Sequence, residues 1–179
     1  MKHQPYLHII IAILTVGGLL SGILTWLFLP DMLTAELRSY VTTQMHTIGT
    51  AISLTESIKA VFCANAIDLM RIYLFGICLA GLPILILFLF LKCFSIGFSF
   101  CLLLQQSIVL CLTRLLYVPV LCAAVLTGCR FALQLIQNQI DSPIRRLLQY
   151  SVLFAALMAA VLVVSSLDGL SSYYYFTRQ

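Results

Sequence analysis

Between Arg71 and Gln106 the chain reads RIYLFGICLAGLPILILFLFLKCFSIGFSFCLLLQQ, and no other stretch limits its possible folds so severely. Ile72–Leu91 is a run of about 20 uncharged, mainly apolar residues, long enough to cross the ~30 Å hydrocarbon core of a bilayer as a helix. Only Gly76, Gly81 and Pro83 interrupt it. Lys92 stops the run, and a second apolar run follows at once, relieved by Ser95, Gly97 and Ser99 and closed by Gln105-Gln106. Such a hairpin cannot be the interior of a 179-residue soluble domain. The whole chain agrees: 62% of it is hydrophobic, 9% is charged and the mean hydropathy is +1.08, which leaves no room for a separate water-soluble domain. The expected fold class is all-α, a polytopic transmembrane helix bundle of about five crossings.

The first crossing is expected near 7–29. A cleaved signal peptide would have a shorter apolar core ending at small residues, whereas this run ends in Trp26-Leu27-Phe28-Leu29-Pro30. It reads as a retained anchor, with Trp26 where an aromatic belt lies. On it Gly18 and Gly22 form G-x-x-x-G, flanked by Gly17 and Ser21. Such a face lets two helices approach closely, with a partner in the same chain expected over a dimer. The alternative is composition alone, since small residues are common in membrane helices.

The long polar stretch, 31–71, is expected to be an extracytoplasmic connector. Leu33, Leu37, Tyr40, Val41, Ile48 and Ile52 fall at roughly helical spacing, with Glu36, Arg38, Thr42 and Thr43 between them. That pattern predicts an amphipathic helix at the membrane surface. Ser53-Leu54-Thr55-Glu56 fits a capping box and predicts a second helix start. Asn65, Asp68 and Arg71 then recur every three residues, placing Asp68 and Arg71 in range to pair, or simply forming a solvated face.

The remaining crossings are expected near 72–91, 93–112, 115–135 and 147–167. Pro83 predicts a kink at residues 79–83. Lys92 is expected to snorkel to the interface. The third segment can turn at Gln105-Gln106 or at Thr113-Arg114, and Arg114 must reach water or a partner because charge at membrane depth is costly. Pro119 falls in a first helical turn, where proline is tolerated. Arg130 is expected to snorkel, and Asp168-Gly169 to end the fifth crossing before the aromatic cluster Tyr173–Phe176. Counting Lys and Arg on the two faces gives a tie, and the paired Arg145-Arg146 in a short loop favours a cytoplasmic N-terminus.

Taken together, Ala64-Asn65, Phe75-Gly76, Gly81-Leu82-Pro83, Leu91-Lys92, Phe94-Ser95, Gly97-Phe98, Gln105-Gln106 and Leu115-Leu116-Tyr117-Val118-Pro119 resemble the central segment of the stage II sporulation protein M family. The resemblance covers about a third of the chain, on Asn65, Gly76, Pro83, Lys92, Gly97, Gln106 and Pro119. Where that family usually has a second asparagine this chain has Ala64, and Thr113-Arg114 replaces a longer Pro-Gln-Asn piece. The resemblance implies a non-enzymatic component of engulfment in sporulation, in the cell membrane, holding stage II sporulation protein D-like and P-like cell-wall hydrolases at the septal membrane.

Read from the residues, nothing suggests catalysis. His3 and His8 lie by the N-terminus, His46 has no metal-binding neighbourhood, and no P-loop or G-x-S-x-G occurs. The six acidic residues are read as lying in connectors or at helix ends, none within a crossing. The seven cysteines lie mostly in apolar runs without a C-x-x-C pair and are read as small hydrophobes, only Cys63 meeting water. No cofactor is expected; the apolar crossings make the lipid bilayer a partner, and a net charge of +4, small and scattered, argues for no nucleic-acid partner. The expected function is a scaffold whose polar connector docks a partner, with Glu36, Arg38 and Glu56 as docking residues. The alternative is a small-solute permease or transporter subunit, for which broken helices at Pro83 and Pro119 would suit a midplane site.

Overall fold

A computed structural model describes residues 5–37, 39, 53–78, 80–104, 108–136 and 143–177. The described residues fold as α1 (Pro5–Leu27), α2 (Leu54–Ile77), α3 (Gly81–Leu104), α4 (Ile108–Leu115), α5 (Tyr117–Ile136) and α6 (Pro143–Thr177), with a further helical stretch over 31–37. Five spans are long and apolar enough to cross a membrane: α1, α2, α3, α4 with α5, and α6. The protein is an all-α, multi-pass membrane bundle.

Proline chemistry sets two of the breaks. Pro83 has no N–H to donate to the carbonyl of Leu79, and its ring crowds that carbonyl. The helix accordingly stops at Ile77 and restarts at Gly81, so Pro83 occupies a first turn instead of kinking a continuous crossing over 72–91. Gly81 is required there, because a Cβ would overlap the carbonyl oxygen of Phe75. Pro119 likewise cannot bond the carbonyl of Leu115, the residue at which α4 ends, and it sits in the first turn of α5 as expected.

These breaks move the expected spans. The second crossing is Leu54–Ile77, and it takes in most of what reads as the second half of a polar connector; the third is Gly81–Leu104. Cys111 donates to the Phe100 carbonyl at 3.5 Å, folding α4 back on the end of α3, so the reversal precedes Ile108 and does not fall at Thr113-Arg114; Gln105-Gln106 lie outside the described residues. The capping box is present: Glu56 accepts from the Ser53 N–H at 3.1 Å. Asp168-Gly169 does not end the last helix, which continues for 35 residues, about 52 Å at 1.5 Å per residue. Gly169 instead admits the backbone of Ile58 on α2. A helix of that length must tilt or emerge from a ~30 Å core.

Matched contacts give the directions. Gly18 meets Phe90 and Cys93, and Gly22 meets Phe94 and Phe98, so α1 and α3 run parallel. Asn65 bonds Ser165 while Tyr73 bonds Ser151, so α2 and α6 are antiparallel. The Gly76–Gly128 approach and the Tyr117 contact to Asn65 make α2 and α5 parallel. One face of the bundle therefore carries the N-terminus of α1, the α2–α3 turn and the start of α6. The opposite face carries the end of α1, the start of α2 and the C-terminal end of α6.

The core is formed by Leu69 and Ile72 of α2, Leu85, Leu89 and Cys93 of α3, Leu121 and Val125 of α5, and Val161 of α6, all fully buried. Around them Ile9, Ile13, Leu87, Leu91, Val152 and Leu162 point outward. In water such a surface would drive aggregation; in hydrocarbon it is the ordinary exterior. All seven cysteines are free, with Cys78 as well as Cys63 exposed. Trp26 is buried and meets Phe98 edge-to-face at 5.4 Å, so it fastens α1 to α3 instead of lying free in an aromatic belt.

Candidate functional site: a buried ion pair between helices

With the spans in place, Asp68 and Lys92 both fall well inside apolar crossings. Lys92 lies at the middle of the 24-residue α3, and Asp68 just past the middle of the 24-residue α2. Lys92 is therefore not a helix-end residue, and acidic side chains do lie within crossings, Asp68 and Asp168 both buried. The Lys92 ammonium meets Asp68 Oδ2 at 2.5 Å, with Arg71 on the other oxygen, Oδ1, at 3.6 Å. The Asp68 side chain is 7% exposed and that of Lys92 34%. The lysine also lies 5.8 Å from the centroid of the Phe88 ring. The pairing of Asp68 with Arg71 at i, i+3 is present, as the weaker of the two contacts.

One turn before Asp68, the Asn65 amide donates to Ser165 of α6 at 2.9 Å, and Ser165 is fully buried. The Tyr117 hydroxyl makes a long contact, 3.5 Å, to the Asn65 carbonyl. Helices α2, α3, α5 and α6 thus meet around one polar locus. A second cluster joins α4 to α6 nearer the opposite face. Asp168, also buried, accepts from Thr113 at 3.0 Å and lies 4.0 Å from Arg114, while Thr113 and Ser171 share a hydrogen bond of 3.2 Å. Arg114 thereby has the partner its position demands.

Glycines bring the helices close enough for these contacts. A Cβ on Gly18 would lie 2.9 Å from the Phe90 carbonyl oxygen, one on Gly22 would meet the Phe94 carbonyl, and one on Gly97 the Leu19 carbonyl. The G-x-x-x-G face therefore packs within the chain, as expected. A Cβ on Gly76 would lie 3.1 Å from Gly128 Cα and overlap the Tyr150 hydroxyl. That hydroxyl donates to the Tyr73 carbonyl at 3.2 Å, and the Tyr150 ring stacks between Tyr73 and Phe131.

The motif residues do not converge. Asn65 and Lys92 border the Asp68 site, Gly76 and Gly97 serve separate helix contacts, Pro83 and Pro119 start helices, and Gln106 lies outside the described residues. Glu36 is exposed on 31–37, and Arg38 lies outside the described residues. Glu56 is exposed but engaged in the cap of α2. Sequence reasoning missed Asp68, Tyr117, Ser165 and Asp168 as buried polar groups. The available signal was that a helix break at Pro83 puts Asp68 and Lys92 at matching depth. Among the described residues, no three His, Cys, Asp or Glu side chains converge as metal ligands. The chain matches no protein-family model, no curated protein and no solved structure with which it was compared.

Proposed function

We propose that this membrane protein is a non-enzymatic scaffold in the cell membrane, with a cytoplasmic N-terminus, in the manner of stage II sporulation protein M. Its partners would be peptidoglycan-degrading enzymes resembling the stage II sporulation proteins D and P, held at the septal membrane during engulfment. The observation that supports this reading is how the internal polar groups are used. Asp68 closes on Lys92 and Arg71, Asn65 on Ser165, and Asp168 on Thr113. Groups satisfied by one another lock helices together and suit an anchor that keeps its shape. The partner would dock on the face that carries the end of α1 and the start of α2, where Glu36 is exposed. Glu56 is dropped as a docking residue, because reversing its charge would also remove the cap of α2.

The full chain, tagged and co-expressed with such a hydrolase, provides the test. Glu36→Lys with Arg38→Glu should reduce recovery of the partner at low salt, and the difference should shrink as salt rises. The runner-up reading is a small-solute permease, favoured by the same Asp68–Lys92 pair, since ionisable groups at membrane depth often mark transport paths. Intact capture by the double variant, together with vesicle uptake that Asp68→Asn abolishes, would replace the scaffold with the permease.

A further inference from the structure

Helices α1 and α5 leave between them a lateral groove of about 380 Å³, lined among others by Ile11, Thr15, Val16, Cys122, Ala123 and Leu126. Its walls are apolar. The one hydroxyl, on Thr15, already donates to the Ile11 carbonyl at 2.8 Å. At one end His8 forms part of the lining, and Arg130 lies against it, its guanidinium donating to His8 Nε2. An arginine cannot accept a hydrogen bond, so His8 meets it with a lone pair and brings no negative charge. Among the described residues no carboxylate pairs with Arg130. The position is also selective in depth, because His8 is within the first turn of α1 and so close to a membrane surface. From His8 to Val16 the groove descends eight residues, about 12 Å at 1.5 Å per residue. That is most of one leaflet of a ~30 Å core.

We propose that this groove holds one acyl chain of an anionic phospholipid, whose phosphate pairs with Arg130. The uncompensated cation at headgroup depth selects the acidic headgroup, and the dry groove beneath takes the chain. A zwitterionic lipid brings its own ammonium to the same place and gains less. The inference does not depend on which face is cytoplasmic or on the scaffold reading.

The full chain is reconstituted in phosphatidylcholine vesicles doped with phosphatidylglycerol or phosphatidylcholine carrying a photoactivatable group in the acyl chain. Crosslinked peptides are then mapped. Phosphatidylglycerol should label 11–16 and 122–126 about fivefold more than phosphatidylcholine, the ratio expected for one arginine near an acidic headgroup. Arg130→Gln should bring the two probes level, Arg130→Lys should keep most of the difference, and Ala123→Phe should lower labelling by both. Equal labelling of the unaltered protein by the two probes would overturn the proposal without recourse to any variant. Preferential labelling that persists in Arg130→Gln would also overturn it, since the headgroup would then be read elsewhere.

Discussion

Replacing Lys92 by Met removes the closest counter-charge of a carboxylate that is itself only 7% exposed. In soluble proteins, breaking a buried pair by deleting one partner costs about 3–5 kcal/mol. Two features reduce that figure here. Arg71 remains 3.6 Å from Asp68, and polar contacts between membrane helices are worth only about 0.6–1.7 kcal/mol where measured, because the helices of the unfolded chain also find partners. The structure therefore places the loss for Lys92→Met at about 2 kcal/mol, between those two scales. Asp68→Asn should cost less, about 1 kcal/mol, since the lysine is already one-third exposed and its long stem can carry the ammonium outward. The decisive variant is the double one. With neither charge present no charge is left buried and unpaired, so Asp68→Asn with Lys92→Met should lie within about 1 kcal/mol of the unaltered protein. The coupling, about 2 kcal/mol, is read from unfolding in mixed micelles titrated with a denaturing detergent, all four proteins measured together. Simple additivity of the two single losses would refute the claim that this pair joins α2 to α3.

Two further predictions test the packing and the parse. Gly22→Ala drives a Cβ into the Phe94 carbonyl and to 2.7 Å from the Phe98 nitrogen, while Gly17 has nothing within 4 Å of the same atom; Gly22→Ala should lower stability by about 1–3 kcal/mol and Gly17→Ala change it by less than about 0.5 kcal/mol, and equal effects would remove the glycine contact from the fold. In a background with the native cysteines replaced, Ala80→Cys should react with an impermeant thiol reagent from the same side as Ser142→Cys and from the side opposite Met32→Cys; an inert position 80 would restore a continuous crossing over 72–91.

Much of this protein is decided by sequence alone. Long uncharged runs must be helices in a bilayer, since lipid offers no partner for backbone groups, and their number, the capping box at Ser53 and the close-packing face at Gly18 and Gly22 follow from local chemistry. Where the second and third crossings begin and end does not. From Ile72 to Leu104 hydropathy offers one continuous apolar stretch with a lysine in it, and a lysine considered on its own helix belongs at a membrane surface. The prolines could have moved that boundary, because each removes the bond to the carbonyl four residues before it. The reason a charge can nevertheless lie at mid-helix is tertiary: α2 brings Asp68 to 2.5 Å from Lys92. No property of either helix alone contains that distance. The same holds for Asp168, which its neighbour Gly169 marks as a helix end in sequence, yet which is held inside a helix by Thr113 from fifty-five positions away.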